Sequence, residues 1–262
     1  MSNEINETNC HNAENLYTRL KEMTSARIAI GRSGGSLTTR EILNFDEAHA
    51  RARDAVWTEF KPEMIIDELR QIDVINEMNI EIICLNSSAK DRATYLKRPD
   101  LGRRLDSESM ARLKQIQNKP ELVIVISDGL SSRAITQQAP AFIKQIGELS
   151  KENSFVPGPI FVIPKARVGI SNPIGTLTGA RSVAILLGER PGLSAPESLG
   201  VYYTYMPGAN SSDAERNCIS NIHAQGLSPQ DAATILFGMV QNSFVYRTGG
   251  VALSQTIAQH LV

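Results

Sequence analysis

The chain shows two patterns of apolar positions, one on each side of residue 118. In the first part, apolar residues recur with a near-helical period, which predicts helices and little sheet. The predicted helices cover residues 38–60, 62–77 and 107–117, and one short strand is predicted at residues 80–84. Thr38 and Glu41 fit a capping box at the start of the first helix.

From residue 119 onward, short β-branched runs alternate with helical stretches. The predicted strands cover residues 121–127, 160–163, 182–188 and 201–206, and the predicted helices cover residues 137–150, 173–178 and 229–242. Strands that alternate with helices favour parallel pairing through right-handed crossovers. The sequence therefore predicts an α/β fold, with a mainly helical N-terminal part followed by a Rossmann-like domain built on a mostly parallel sheet.

Three units are predicted along the chain: an arm over residues 1–25, a mainly helical domain over 26–118 and the Rossmann-like domain over 119–262. The arm is polar, with a weak amphipathic pattern in Leu16, Leu20 and Met23. Two interpretations stay open for it: a solvated arm or helix resting on the body, or a helix that docks on another protein.

The run at residues 182–188 has no polar alternation, which indicates a strand buried on both faces. It breaks at once into Glu189-Arg-Pro-Gly192, and a polar loop after the next strand leads to residues 217–226. Ligands of open parallel sheets lie where the strands end. The sequence therefore predicts a binding edge here, with Glu189 and Asn217 as hydrogen-bonding groups.

Composition limits the class of protein. The chain has 262 residues, 42% of them hydrophobic and 21% charged, which is ordinary for a soluble globular protein. Its 27 basic and 28 acidic residues argue against a general nucleic-acid binder. No apolar stretch approaches the ~20 residues that span a bilayer, so no membrane segment is expected. Cys10, Cys84 and Cys218 form neither a zinc pattern nor a disulfide framework, which favours a reducing cytoplasm and no bound metal.

Several blocks of this sequence resemble the small subunit of ethanolamine ammonia-lyase. They follow one another in that family's order and span most of residues 26–226. The blocks are Ala26–Gly34, Tyr95–Leu105, Val125–Ser131, Arg167-Val168, Leu187-Gly-Glu-Arg-Pro-Gly-Leu193 and Cys218-Ile-Ser-Asn-Ile-His223.

The resemblance implies a function. The family is a radical carbon–nitrogen lyase that uses adenosylcobalamin to convert ethanolamine to acetaldehyde and ammonia. A large subunit with a TIM-type barrel holds the substrate residues, so no catalytic acid or base is expected in this chain. The resemblance further implies a hetero-oligomer housed in a protein-shelled bacterial microcompartment within the cytoplasm, to which residues 1–25 would direct it.

The resemblance also implies the cofactor-binding residues, which are Val168, Glu189 and Cys218. Val168 would present backbone groups and a small apolar surface to the corrin, and Glu189 would accept hydrogen bonds from the corrin amides. Cys218 would pack as a small apolar group. Each has a structural alternative: Glu189 pairs with Arg190 or Arg216, and Cys218 only fills space.

Asn221 and His223 echo the Asp-x-His-x-x-Gly motif of enzymes such as methylmalonyl-CoA mutase, in which the histidine binds cobalt. Here Asn221 stands where that motif has a carboxylate, and an amide cannot raise imidazole basicity in the same way. His223 is therefore expected to stabilise its loop rather than to bind cobalt. The resembled family agrees, because it keeps the cofactor base-on, with the benzimidazole on the metal.

Two other segments carry candidate chemistry. Gly31–Ser36 lacks the ending of a nucleotide P-loop and is interpreted as a glycine turn or, by the resemblance, as a contact with the large subunit. Arg98–Arg104 is a basic cluster that suits carboxylates or phosphates, and a subunit contact is the favoured interpretation. Two other classes of function stay open: a non-catalytic scaffold or adaptor, and an NAD- or FAD-dependent oxidoreductase, which the missing Gly-x-Gly-x-x-Gly fingerprint disfavours.

Overall fold

The computed structural model describes residues 16–24, 26–28, 30–116 and 119–260. These residues fall into two compact units that divide after Arg53, with Gly192–Ser194 belonging to the first. The domain boundaries expected from the sequence stay a prediction. No helix in the described ranges is both long and apolar enough to cross a bilayer.

The first unit is small. Residues 16–23 are helical, and the strands β1 (Arg32–Ser33) and β2 (Ser36–Leu37) form a tight antiparallel hairpin. The glycine turn expected at Gly31–Ser36 is this hairpin. Helix α1 (Thr39–Trp57) follows it and continues past the division between the units. The Thr38 Oγ1 accepts a hydrogen bond from the Glu41 N–H (3.4 Å), which supplies one of the two bonds of the predicted capping box.

The second unit opens with short elements that precede the main sheet. They are the helices α2 (Pro62–Leu69) and α3 (Asp73–Glu77), strand β3 (Ile82–Cys84), helix α4 (Arg92–Lys97), a 3₁₀ turn (Leu101–Arg103) and helix α5 (Ser107–Leu113). The single helix predicted over residues 62–77 is wrong. Val74 follows Ile65 by about two and a half turns, so a continuous helix would point them to opposite sides. The break lets both side chains enter the core.

A six-stranded sheet forms the centre of this unit. Its further strands are β4 (Leu122–Ser127), β5 (Pro157–Val162), β6 (Ser182–Gly188), β7 (Leu199–Tyr205) and β8 (Arg216–Ile222), in the spatial order β3-β5-β4-β6-β7-β8. The first four strands of that order pair in parallel, and β7 and β8 add antiparallel partners at one edge. The prediction of an α/β fold with a mostly parallel sheet is confirmed.

Strand β8 was not predicted, because its sequence was interpreted as part of a polar loop. Asn217, Ile219 and Ile222 are buried, while Cys218 and Ser220 between them are exposed. This alternation is typical of an antiparallel strand with one open face. The period-two pattern was present in the sequence, but its polar members hid it.

Four helices complete the unit: α6 (Ser132–Glu152), α7 (Ser171–Thr178), α8 (Pro229–Tyr246) and α9 (Gly250–His260), the last of which was not predicted. Helix α6 begins five residues before its predicted start. The predicted helix over residues 137–150 would have placed Pro140 in its first turn, whereas Pro140 lies in the interior of the observed helix. Ser131 caps the true start by accepting a hydrogen bond from the Ala134 N–H (3.4 Å).

The sheet separates two apolar cores. Alternate residues of β4 point to opposite faces: Leu122, Ile124 and Ile126 pack with α6 and α8, whereas Val123 and Val125 pack with α5 and α7. The chain therefore leaves β4 towards one face and leaves β5 towards the other. Neighbouring strands that diverge in this way open a crevice at their carboxyl ends, the usual ligand position in such sheets.

The backbone is packed tightly where β4 and β6 end. A Cβ atom on Gly188, the last residue of β6, would overlap the carbonyl oxygens of Asp128 and Ser131. Gly129 has φ of +52° and lies directly against Gly188. Only glycine fits this approach of two backbones.

This packing predicts opposite effects for two glycine substitutions. Gly188→Ala should lower the free energy of unfolding by about 3 kcal/mol, since backbone atoms cannot move aside as a side chain could. Gly238→Ala lies in α8 with no atom near its added methyl group, and should raise stability by about 0.5–1 kcal/mol. Urea denaturation of both variants measures the difference. An unchanged midpoint for Gly188→Ala would contradict the close approach.

Candidate functional site

A buried carboxylate organises the carboxyl edge of the sheet. Asp128 follows β4 and is only 2% exposed. Its Oδ1 accepts hydrogen bonds from the Lys165 backbone N–H (2.6 Å) and the Ser127 hydroxyl (3.3 Å), and its Oδ2 pairs with the Arg92 Nη1 (2.7 Å). Removal from water raises the pKa of Asp128, and these partners oppose that shift. The carboxylate thereby joins the segment after β5 to helix α4.

Arg92 extends the same network. Besides Asp128, its guanidinium donates to the carbonyl oxygens of Gly129 (2.7 Å) and Val56 (2.8 Å). Its helix α4 is capped by the Asp91 carboxylate, which accepts from the Thr94 N–H (2.7 Å). Helix α4 is thus fixed at both its cap and its first residue.

Helix α4 in turn positions Arg167. The guanidinium of Arg167 lies 4.1 Å from the centroid of the Tyr95 ring and donates to the Tyr95 carbonyl (3.2 Å). The Tyr95 hydroxyl donates to the Ala166 carbonyl (3.2 Å), and burial raises the pKa of Tyr95 to about 12, which keeps that proton in place. Gly102 makes room for this arrangement, because a Cβ atom there would lie 2.8 Å from the Arg167 Cγ.

A cavity of about 920 Å³ opens beside these residues. It is bounded by the turn at Val168, the start of α7, the β7–β8 pair and the loop between those two strands. Its lining exposes polar and apolar surface in nearly equal amounts. The lining residues are Arg103, Arg104, Arg167, Val168, Gly169, Asn172, Pro173, Tyr202, Ala209, Ser211, Ser212, Asp213, Arg216 and Cys218.

Of the three cofactor-binding residues that the resemblance implies, Val168 and Cys218 line this cavity. Val168 begins a 3₁₀ turn (Val168–Ile170) after β5, and Cys218 lies on the open face of β8 directly opposite Tyr202 of β7. Glu189 follows β6 and does not line the cavity. Its carboxylate lies over Gly200 of β7, two residues before Tyr202, and its charge acts on Cys218 and Tyr202.

The Cys218 thiol is held in its neutral form. Partial removal of the thiol from water raises the pKa of Cys218, although the residue is exposed along one side; the Glu189 carboxylate raises it further, and a hydrogen bond with Tyr202 lowers it. Burial likewise raises the pKa of Tyr202 to about 12. Both groups are therefore protonated at neutral pH, so the floor of the cavity here is uncharged.

Glu189 is fixed by neutral donors. Its Oε2 accepts from the Ser198 hydroxyl (2.6 Å) and the Asn221 N–H (3.4 Å). Arg216 pairs instead with Asp213 and donates to the Asn172 Oδ1 (2.7 Å). Neither alternative ion pair of Glu189 forms in the described part of the chain. The carboxylate therefore keeps accepting capacity for another donor.

His223 forms its hydrogen bonds within its own loop. Its Nε2 lies 2.7 Å from the Asn221 Oδ1, and its Nδ1 accepts from the Gln225 N–H (3.2 Å). Asn221 has φ of +63°, as residues in tight loops often do. Both ring nitrogens thus serve the loop, as was expected. Among the described residues, no three or more His, Cys, Asp and Glu side chains cluster as a metal site.

Sequence reasoning missed most of the cavity lining. Tyr202, Asn172, Arg167 and Arg216 were not proposed as site residues. Arg103 and Arg104 were placed in the basic cluster at residues 98–104, for which a subunit contact was favoured over phosphate binding. The signal was incomplete: Arg104 belongs to a basic run, but its approach to Arg167 depends on the packing of two turns far apart in sequence. Only the fold brings these arginines together.

Comparison with known proteins gives a consistent result. A family profile described as ethanolamine ammonia-lyase light chain matches residues 14–254. The ethanolamine ammonia-lyase small subunit of Pseudomonas paraeruginosa is 42% identical over 245 residues, which is 92% of this chain and 88% of that protein. The small subunit of Rhodopseudomonas palustris is 43% identical over 89% of this chain and 88% of that protein. The small subunit of Bradyrhizobium diazoefficiens is 42% identical over 91% of this chain and 90% of that protein.

The chain belongs to the ethanolamine ammonia-lyase light-chain family. The resemblance inferred from the sequence blocks is thereby confirmed. The light-chain match includes the whole cavity lining and Glu189. The roles of Val168, Glu189 and Cys218 towards a cofactor stay a prediction.

The position of Glu189 predicts the reactivity of Cys218. Glu189→Gln removes the negative charge that raises the pKa of the thiol, so more thiolate forms at a given pH. Alkylation of Cys218 by iodoacetamide near pH ~8 should accelerate roughly two- to fivefold, the size expected of a partly exposed charge pair. Peptide mass spectrometry over time measures the rate.

Glu148→Gln is the matched control, because this carboxylate lies on α6 on the other side of the sheet and does not act on Cys218. Its alkylation rate should equal that of the unmodified sequence. Equal rates for both variants would place Glu189 away from Cys218 and contradict the geometry of the site.

Proposed function

We propose that this chain is the small subunit of an ethanolamine ammonia-lyase and supplies one side of its adenosylcobalamin site. In the assembled enzyme, ethanolamine is converted to acetaldehyde and ammonia. The observation that carries the proposal is that Val168 and Cys218 line one cavity at the edge of the sheet, with the Glu189 carboxylate near it against Gly200 of β7. Family membership supports the same role.

The chemistry of the cavity suits a corrinoid. The corrin ring is apolar on its faces and carries amides at its rim, so it needs small neutral surfaces together with hydrogen-bond acceptors and donors. Val168, Tyr202 and Cys218 offer the small neutral surfaces. Glu189 offers an acceptor, and the Nε atoms of Arg167 and Arg216 are buried donors without a partner in the described residues. The donors and acceptors present therefore fit the cofactor.

When bound, adenosylcobalamin supplies a weak cobalt–carbon bond whose homolysis begins the radical reaction. The residues of this chain would hold and orient the ring. Glu189, held by Ser198 and the Asn221 N–H, would accept hydrogen bonds from rim amides and so fix the ring in its plane. Because both nitrogens of His223 are used within the loop, this histidine would not replace the benzimidazole, and the cofactor would stay base-on.

The large subunit would close the other side of the site. The β7–β8 face that carries Cys218 is open to solvent, and the cavity itself is half open. No catalytic acid or base is assigned to this chain, since the substrate would be held by the large subunit. The two chains would form a hetero-oligomer.

The proposal includes a location within a bacterial microcompartment of the cytoplasm. Leu16, Tyr17 and Met23 on the helical segment at residues 16–23 are 55%, 50% and 83% exposed. Exposed apolar side chains on one short helix favour the interpretation of the arm as a docking helix over that of a solvated arm. The protein shell would be its target.

We expect the purified chain to show no lyase activity by itself, because it would hold only part of the site. Mixing it with the large subunit should restore turnover of ethanolamine, measured as acetaldehyde formed. Turnover by the chain alone would contradict the proposal. A stable complex without affinity for cobalamin would support the adaptor, and thermal stabilisation by NAD but not by cobalamin would support the oxidoreductase.

Replacing Glu189 tests its role in the assembled enzyme. Glu189→Ala should weaken adenosylcobalamin binding by ~1–3 kcal/mol, or about 5- to 150-fold in Kd, because a shielded acceptor is lost. Titration of the complex, followed by corrin absorbance, measures the Kd. Glu148→Ala serves as the control on the far side of the sheet, and an unchanged Kd for Glu189→Ala in an intact complex would remove Glu189 from the site.

A further inference from the structure

The cavity carries an excess of positive charge. Of its described lining residues, four are arginines and one, Asp213, is a carboxylate. Asp213 is already paired with Arg216. Arg103, Arg104 and Arg167 form no ion pair with a carboxylate in the described ranges. Three guanidinium groups thus line one space, and none of them forms a close ion pair with a described residue, although the charge of Arg104 acts on the Asp100 carboxylate outside the cavity.

These three arginines are brought together by two turns that pack against each other. Arg103 ends the 3₁₀ turn Leu101–Arg103, and its side chain lies over Gly169 of the turn Val168–Ile170. The Arg167 N–H donates to the Gly102 carbonyl (2.7 Å), which locks the turns in register. The fold therefore places the backbones of the three arginines side by side, so that their side chains reach the same cavity.

The three arginines differ in the contacts that they make within the chain. Arg167 is held by Tyr95, but its Nε is buried and has no partner among the described residues. The guanidinium groups of Arg103 and Arg104 donate no hydrogen bond in the described residues, and both side chains are exposed at the cavity. Contacts within the described residues therefore leave the donors of these two guanidinium groups available to a bound anion.

A helix dipole adds to the positive potential of the site. Helix α7 begins at the cavity, with Gly169, Asn172 and Pro173 in the lining, so the positive end of its dipole faces this space. The residues come from separate segments and surround the space. One guanidinium fork is enough for a carboxylate, whereas several forks from different directions suit the tetrahedral oxygens of a phosphate.

We propose that Arg103, Arg104 and Arg167 form an anion subsite for a phosphate ester. The inference rests on the proposed function: if the ligand is adenosylcobalamin, the phosphate ester is the phosphodiester in its nucleotide tail. Val168 and Cys218 would then face the ring, while the arginines bind the tail. The subsite adds affinity for the complete cofactor and selects against corrinoids that lack the tail.

The test compares corrinoids that differ in the phosphate. Cobinamide lacks the nucleotide tail, cobinamide phosphate carries the phosphate alone, and cobalamin carries the complete tail. Equilibrium dialysis measures their binding to the assembled two-subunit enzyme, with and without the double substitution R103Q/R104Q. The double substitution should weaken binding of cobalamin and cobinamide phosphate at least tenfold, because two charge-assisted bonds are lost. Binding of cobinamide should stay unchanged.

Two further variants serve as controls. Arg98→Gln removes an exposed arginine from the same segment, but one that pairs with Asp100 and does not line the cavity, so all three affinities should be unaltered. R103K/R104K keeps the charges without the forks and should recover part of the affinity for the phosphate-bearing corrinoids. Inorganic phosphate should compete with cobinamide phosphate in the unmodified enzyme and not in R103Q/R104Q.

The outcomes separate this inference from the proposed function. Equal affinities of R103Q/R104Q and the unmodified enzyme for all three corrinoids, or an equal loss for all three, would overturn the subsite and leave the corrinoid site in place. Failure of the unmodified enzyme to bind any corrinoid would overturn the proposed function. If R103Q/R104Q folds by circular dichroism but no longer assembles, the arginines contact an acidic surface of the large subunit, and the subsite is wrong.

Discussion

The buried carboxylate of Asp128 is the contact on which the rest of the site depends. Through it, the end of β4 is joined to the segment after β5 by the Lys165 N–H and to helix α4 by Arg92. Helix α4 carries Tyr95, on whose ring Arg167 rests. Asp128 and Arg92 therefore determine where one wall of the cavity lies, although neither of them lines it. Loss of one partner of such a buried pair costs ~3–5 kcal/mol, because the remaining charge stays in a poorly solvated place.

A buried ion pair adds little net stability when compared with apolar residues of the same size. Here the ion pair of Asp128 and Arg92 instead fixes the relative position of the segments that it joins. The carboxylate accepts from three donors that arrive from different segments, and each bond has a preferred angle. Apolar packing could bury the same surface, but it would allow the turn at residues 163–168 to slide. Because that turn leads directly to Arg167 and Val168, a shift there would move one wall of the cavity relative to the β7–β8 pair.

The sequence predicts the parts of this molecule whose structure is set by local patterns. Ser182–Gly188 was predicted with its observed bounds, because a run buried on both faces has no competing period. The break between α2 and α3 could not be predicted, since it depends on where the core receives Val74. Strand β8 was hidden by polar residues on its open face. For the site, the resemblance supplied Val168, Glu189 and Cys218, and the basic run at residues 98–104 indicated Arg103 and Arg104. That these two arginines meet Arg167 in one cavity depends on the packing of two turns, which no local pattern encodes.

The antiparallel edge explains why this chain would form only part of a site. In a fully parallel sheet, each crossover helix covers a face, so ligands are confined to the carboxyl ends of the strands. Here β7 and β8 return without a crossover, and the face that carries Tyr202 and Cys218 is only partly covered: Tyr202 packs against the core that includes α7, whereas Cys218 is exposed. The crevice at the strand ends therefore extends sideways along this face into one open, positively charged concavity. A large ligand with an apolar ring and a charged tail can lie along such a surface, and a second protein is then needed to exclude water from its other side.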